Sequence, residues 1–277
     1  MQNQTTAADI HIDNYKYLQK QVYSLSGIVL DADKHYLFEN RLTPIVRQMG
    51  LGSINDLCAL LRATGTPEIG RKVVEAMTTN ETYFFREPAQ YDLIRSVLLP
   101  RLRTEKGDLK RLRFWSGASS TGQEAYTLAM ILLDEGLGDW DIRILGTDFS
   151  SNVLERARTG KYQQLEVNRG LPASVLVRHF RRSGMDWQIS EAARRMVRFE
   201  PIDLRRSLRA LGPFDLVFLR NVLIYFDAET KKNILKEVHS TLFRGGWLFL
   251  GGAEMNFDAE TWFEKQTFGS AAVYVAR

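Results

Sequence analysis

The chain has 277 residues, of which 44% are hydrophobic and 25% charged, with a formal net charge of +4. That balance is ordinary for a globular protein and excludes wholesale disorder, and no apolar run reaches the roughly 18 residues that a membrane span needs. A single cysteine, Cys58, excludes an intramolecular disulfide and a Cys-based metal site; the polar N-terminus lacks the layout of a signal peptide, so a cytoplasmic protein with no direct membrane insertion and no metal is expected.

The first eighty-odd residues read as helices. Tyr15, Leu18, Val22 and Leu25 recur at helical spacing after an Asp13 cap, and Gly27 ends the run. A second helix, capped by Asp33, carries Tyr36, Leu37, Ile45, Val46 and Met49, with Pro44 bending it. Ser53 starts a third with Leu57, Leu60 and Leu61 on its apolar face, and Pro67 suits the first turn of a fourth with Ile69, Val73, Val74 and Met77. The expectation is a small all-helical domain over residues 1–86.

Residues 87–111 read as a linker. Up to Arg86 nine basic residues balance nine acidic ones, whereas Arg101, Arg103, Lys106, Lys110, Arg111 and Arg113 face only Glu105 and Asp108. This stretch accounts for the whole excess of charge. It is either a solvated linker or a basic surface facing an acidic partner. A nucleic-acid footprint would be larger and interleaved with aromatics.

From 112 to 277 the pattern changes. Short apolar runs at 112–115, 142–145, 196–199, Phe214–Leu219, 247–250 and Ala271–Ala276 have strand character, with helical stretches at 124–134, 152–158 and 229–242 between them. Such alternation implies an α/β domain with a doubly wound, mostly parallel sheet covered on both faces. Residues 162–200 are too long for a simple crossover and read as a small inserted subdomain.

Open α/β sheets bind ligands beyond the carboxyl ends of their strands, where strand order reverses. After the first strand comes Ser116-Gly117-Ala118-Ser119-Ser120-Thr121-Gly122-Gln123-Glu124, small residues that let backbone approach a ligand ahead of a helix N-terminus. The stretch lacks the full dinucleotide fingerprint and the P-loop lysine. Asp148, just past the second strand, suits the two ribose hydroxyls of an adenosine-containing ligand; the alternative is a helix cap for the residues from Ser150.

Two further segments carry chemistry. In Asn80-Glu81-Thr82-Tyr83-Phe84-Phe85-Arg86-Glu87, the two phenylalanines suit docking of two domains, and the Arg86 fork suits bidentate capture of a carboxylate such as the amino-acid end of a methionine-derived cofactor. In the second, Phe214 to Asp227, a strand runs into Arg220-Asn221 and on to Tyr225. Asn221 can meet a ligand, and the Tyr225 ring can face a sulfonium; Leu223, Ile224 and Phe226 read as core. The Asp/Asn-Pro-Pro-aromatic motif of base-modifying amino-methyltransferases is not found here.

Taken together, NETYFFRE at 80–87, STGQEAYTLA at 120–129, GTDFS at 146–150 and FDLVFLRNVLIYFD at 214–227 resemble the chemotaxis receptor methyltransferase family known as CheR, over nearly the whole chain. The resemblance implies a helical N-terminal domain, a Rossmann-like methyltransferase sheet, and transfer of the methyl group of S-adenosylmethionine to receptor glutamates, giving γ-methyl esters and S-adenosylhomocysteine. It implies that Asn80, Thr82 and Arg86 contact the cofactor, that Glu124 lies near its amino-acid end and Asp148 at its ribose, and that Asp203, Leu204, Arg220 and Asn221 complete the contacts. An arginine in the segment joining the domains is implicated in catalysis; Arg101 and Arg103 both lie there, with Tyr225 as the third catalytic candidate. The inserted subdomain docks onto receptor tails in some members, and the Arg-rich run from Arg194 to Arg198 lies in it. Two departures stand out. Many members carry Asn at the position of Asp203, and Gly-His-Ser-Glu where this chain has Gly251-Gly252-Ala253-Glu254.

A glutamate side chain, with a reference pKa of about 4.3, is already an anion at neutral pH and needs no general base to attack a methyl group. The expected partner is the cytoplasmic domain of a chemoreceptor, met by a monomer and without nucleic acid. Two other functions compete: a nucleic-acid methyltransferase with the same cofactor, and a catalytically silent cofactor-binding adaptor in a signalling complex.

Overall fold

The computed structural model describes residues 10–31, 34–254 and 261–277. The chain divides into two compact units, Met1–Thr79 with Tyr225–Thr230, and Asn80–Ile224 with Lys231–Arg277. Among the described residues no helix is long and apolar enough to cross a membrane.

The first unit holds four helices: α1 (Ile12–Ser26), α2 (His35–Gln48), α3 (Ile54–Thr64) and α4 (Pro67–Met77). Their signals act much as the sequence suggests. Gly27 ends α1 in the left-handed conformation at φ 75°, Ser53 caps α3 by accepting the Asp56 N–H at 3.1 Å, and Pro67 opens α4. His11 rather than Asp13 caps α1, and the Asp33 cap expected for α2 lies outside the described residues. On α2 the buried face is Phe38, Leu42 and Val46, while Tyr36 is exposed, because the apolar stripe is rotated from the one first read. The Arg41 guanidinium donates to the carbonyls of Met77 and Thr78 at 2.7 and 3.0 Å, satisfying the end of α4. Tyr225–Thr230 packs in this unit: Val29 N–H donates to the Tyr225 carbonyl, and the Tyr23 hydroxyl to Asp227.

The second unit begins with helix where a linker was expected. Residues 88–106 form α5 (Pro88–Leu93), a π-turn (Ile94–Leu98) and α6 (Leu99–Lys106). Tyr91, Ile94, Leu98 and Leu102 repeat at helical spacing and are buried in the core, so hydrophobic burial holds the segment in place. Its basic residues are also accounted for. Arg101 pairs with Glu105, Lys106 with Asp215, Lys110 with Asp139, and Arg111 and Arg113 with Asp141. Four carboxylates thus serve five of the six cations, while Arg103 donates to the Glu135 carbonyl.

The core is a seven-stranded sheet. β1 (Arg111–Gly117) leads through α7 (Gln123–Asp134) to β2 (Asp141–Asp148), and α8 (Ser151–Thr159) follows. The inserted subdomain comprises β3 (Lys161–Tyr162), α9 (Gln164–Asn168), α10 (Ala173–His179), β4 (Phe180–Ser183), β5 (Asp186–Ile189) and α11 (Glu191–Met196). Its strands form a separate antiparallel sheet in the order β3-β5-β4. The main sheet resumes with β6 (Val197–Pro201), β7 (Phe214–Leu219), helix α12 (Ala228–His239), β8 (Leu242–Leu250), β9 (Phe263–Phe268) and β10 (Ala271–Ala276). The order is β6-β2-β1-β7-β8-β10-β9, and only β10 runs against the rest, pairing antiparallel with both β8 and β9. Strands β1 and β7 are buried nearly throughout, which is why they read as continuous apolar runs. Chain order reverses between β1 and β7, so the ligand crevice belongs at their carboxyl ends.

Candidate active site

At the carboxyl end of β1 the chain turns sharply. Ala118, Ser120 and Gly122 adopt φ of 56°, 50° and 91°, a region that two of these residue types avoid unless the surroundings impose it. Asp148 imposes much of it. Its buried carboxylate accepts the Ser120 N–H and the Ser150 N–H, both at 2.9 Å, so it ties the turn after β1 to the turn after β2. The Ser150 bond is an Asx-type turn just ahead of α8, whose N-cap is Ser150 itself. Phe199 of β6 fills the space beneath the turn: a Cβ on Gly146 would meet its ring at 2.5 Å and one on Gly122 at 2.9 Å.

Glu124, in the first turn of α7, points back to the strand end. It accepts from the Ser116 hydroxyl at 2.7 Å and from the Arg220 guanidinium at 3.2 Å. Only 1% of the Arg220 side chain and 14% of that of Glu124 are exposed. Burial raises the Glu124 pKa, and the Arg220 charge pulls it back down. Arg220 also donates to the Arg86 carbonyl at 2.5 Å and to the Tyr91 hydroxyl at 3.1 Å, while its Nε is buried without a partner. One cation from the end of β7 thus holds α7, α5 and the 80–87 segment together.

The 80–87 segment lies across this edge. The Ser120 hydroxyl donates to the Asn80 carbonyl at 2.8 Å, and Arg86 donates to the Glu81 carbonyl at 3.1 Å with its guanidinium 5.6 Å from the Tyr83 ring. Phe84 is buried inside the second unit, edge-on to Tyr162 at 4.9 Å and Phe180 at 5.6 Å, and so fixes the segment to the inserted subdomain. Phe85 packs against Tyr91. Asn80, Thr82, Thr121 and Asn152 line a cavity of about 350 Å3, at the lower end of the range for small-molecule sites.

Asn221 follows β7 with φ 58°, and a residue not singled out from the sequence holds it there. The Glu254 carboxylate, fully buried, accepts the N–H groups of Asn221 at 2.6 Å, Gly251 at 2.9 Å and Ile224 at 3.2 Å. Gly251 is required for this approach, since a Cβ there would lie 2.5 Å from the Asn221 side chain. The available signal was a carboxylate just past a glycine pair at a strand end.

Three candidates are placed differently from the expectation. Arg101 and Arg103 lie on α6, which feeds the amino end of β1; Arg101 sits by Gly245 at the amino end of β8 and pairs with Glu105, and Arg103 donates to the Glu135 carbonyl. Both therefore lie toward the amino ends of the strands, opposite the carboxyl ends where the crevice is placed. Tyr225 belongs by its packing to the first unit. In the loop after β6, Asp203 is clamped by Arg205, Nε to Oδ1 at 3.0 Å and Nη2 to Oδ2 at 2.7 Å, while the neighbouring Leu204 is buried.

Residues 13–78 match the family described as CheR methyltransferase, all-alpha domain, and residues 80–271 that described as CheR methyltransferase, SAM binding domain. The chain belongs to the CheR methyltransferase family. It is 40% identical over 236 residues to Chemotaxis protein methyltransferase Cher2 of Pseudomonas putida, covering 82% of this chain and 85% of that one. It is 41% identical to Chemotaxis protein methyltransferase 1 of Pseudomonas aeruginosa over 235 residues, with the same coverage, and 37% identical to a Vibrio parahaemolyticus chemotaxis protein methyltransferase, covering 90% and 91%. As a CheR-family member this chain is an S-adenosylmethionine-dependent protein methyltransferase. The site's donor set fits that cofactor. A carboxylate such as Asp148 suits a diol and one such as Glu124 an ammonium, the Arg86 cation suits a carboxylate, and the Ser119 hydroxyl in the turn is buried with no partner.

Proposed function

We propose that this enzyme methyl-esterifies glutamate side chains on the cytoplasmic domain of a chemoreceptor-type protein, and so serves adaptation in chemotaxis. The observation that carries the reading is the state of the crevice carboxylates. Glu124 is tied to Arg220 and Ser116, and Asp148 to two backbone amides, so both carboxyl groups are held by fixed partners and neither stands free as a general base. A site arranged in this way suits an acceptor that brings its own negative charge, and a glutamate does so at neutral pH.

Bound S-adenosylmethionine supplies a methyl group on a positively charged sulfur and leaves as S-adenosylhomocysteine. Asp148 is proposed to accept from the ribose hydroxyls, and Glu124 to accept from the amino group of the methionine end, with Asn80 and Thr82 along the adjoining cavity. Because the Asp203 carboxylate is clamped by Arg205, the adenine contact is assigned to the backbone at Asp203 and Leu204. Asn221, held by Glu254, closes the strand end beside Arg220, and Arg220 acts by fixing Glu124. Arg86 is the crevice cation whose guanidinium is not bound to a carboxylate. It takes over the role first expected of Arg101 or Arg103, pairing with a carboxylate at the reacting end. The acceleration comes chiefly from holding nucleophile and electrophile in line, an effect worth up to roughly 7–11 kcal/mol.

The test is incubation with methyl-labelled S-adenosylmethionine and receptor cytoplasmic fragments, followed by alkali. Release of volatile labelled methanol supports the reading. Label that survives alkali, or that appears only on nucleic acid, overturns it.

A further inference from the structure

A second cavity, of about 550 Å3, lies at the open edge of the main sheet, where β6 has no neighbouring strand on its outer side. It is lined by Arg158 of α8, Arg194 and Arg195 of α11 and Arg198 of β6, together with Tyr126 and Glu191. Four arginines against one glutamate leave the lining with an excess of three positive charges. The arginines fall into two pairs. Arg195 and Arg198 are bridged to Glu191 and Glu200, but both arginines are strongly exposed, and ion pairs of that kind hold weakly. Among the described residues Arg158 and Arg194 are not bridged to a carboxylate: Arg158 donates to the Phe199 carbonyl at 2.8 Å, and Arg194 to the Arg158 carbonyl at 3.2 Å and to the Tyr126 hydroxyl. Each guanidinium is thereby oriented while keeping N–H groups for a further acceptor.

We propose that this cavity is an anion-binding site for a small molecule carrying linked phosphates, separate from the methyl-transfer crevice. Converging guanidinium forks match phosphate oxygens in geometry as well as charge. The volume lies within the range of small-molecule sites. Linked phosphates deliver several charges into one such space, whereas an extended acidic peptide spreads its carboxylates at about 3.3 Å per residue along the chain. The site has a physical route to the cofactor turn. The Phe199 carbonyl that Arg158 holds belongs to the residue whose ring fills the space under Gly122 and Gly146.

The test is calorimetric titration of the full chain with sodium tripolyphosphate at low salt. One saturable site is expected, weakened at least tenfold by Arg194→Gln and by Arg158→Gln, and changed less than twofold by Arg244→Gln, an exposed arginine elsewhere in this unit. Thermal melts of each variant check folding, and Arg194→Gln carries the test by itself if loss of the Arg158 bond unfolds the edge. Absence of saturable binding, equal weakening in Arg244→Gln, or unchanged affinity in Arg194→Gln overturns the proposal. So does tighter binding of a glutamate-rich peptide than of tripolyphosphate.

Discussion

The guanidinium of Arg220 and the carboxylate of Glu124 meet at 3.2 Å in the interior of the second unit, one from the end of β7 and the other from the first turn of α7. Two buried charges this close are stable only while both remain, because either alone would keep its desolvation cost without compensation. Arg220→Met is therefore expected to destabilise the protein by about 3–5 kcal/mol. Arg220→Met with Glu124→Leu should recover part of that loss without restoring methyl transfer. Denaturant unfolding of the two variants checks this; a single variant with wild-type stability would show that the pair contributes little.

Asp148 performs two tasks that one variant set can separate. Asp148→Ala removes the acceptor for the Ser120 and Ser150 amides and the proposed ribose acceptor together, and cofactor affinity should fall at least tenfold. Asp148→Asn keeps one oxygen acceptor and should retain more stability than affinity. Calorimetric titration with S-adenosylhomocysteine reads the affinity, and wild-type binding by Asp148→Ala would refute the ribose assignment.

The Glu254 carboxylate serves three amides, two of them through one oxygen. Glu254→Gln replaces an oxygen by a donor that faces N–H groups, leaving buried amides unpaired at about 1–3 kcal/mol. Lower stability is expected, along with a raised KM for the cofactor as the turn at Asn221 relaxes. A variant with unchanged melting temperature and kinetics would mean that the turn holds itself.

Position in the sheet separates the arginines. Arg101→Ala and Arg103→Ala should leave turnover within about twofold, since an exposed surface ion pair contributes little. Arg86→Ala should lower kcat/KM by at least tenfold. Steady-state kinetics on a receptor fragment decides, and the reverse ordering would return catalysis to the helix before β1.

Cys58 is buried in α3, and burial pushes its thiol pKa up to about 11, with Arg62 opposing weakly. An unfolded thiol ionises near pH 8.5. Above that pH the unfolded chain releases a proton that the folded chain keeps, so stability falls between about 8.5 and 11. Below that window the contribution is fully present. A disulfide reagent at pH 8 should label native protein far more slowly than protein in denaturant, and equal rates would contradict the burial.

Much of this architecture was legible because local chemistry announces it. Ser53, Gly27 and Pro67 mark helix ends by their own backbone preferences, and strands buried on both faces, such as β7, read as unbroken apolar runs. The helix over 88–106 was hidden because its dense basic residues drew attention away from the spacing of Tyr91, Ile94, Leu98 and Leu102. The position of Arg101 and Arg103 was hidden for a different reason. Proximity in sequence to the domain junction says nothing about which end of a strand a helix feeds. The role of Glu254 depends on Asn221, 33 positions away, and only the sheet brings the two together. Asp148 and Glu124 were legible as residues at strand and helix ends, but their fixed partners were not.

Phe199 and the glycines above it make the cofactor turn and the outermost strand a single fitted joint. Bulk added at 146 has to be matched by bulk removed at 199, so these two positions trade size as a pair, while the φ of 91° keeps 122 a glycine whatever stands at 199. Gly146→Ala should be tolerated only alongside a smaller residue at 199. A drifting lineage would cross that gap in two coupled steps rather than one.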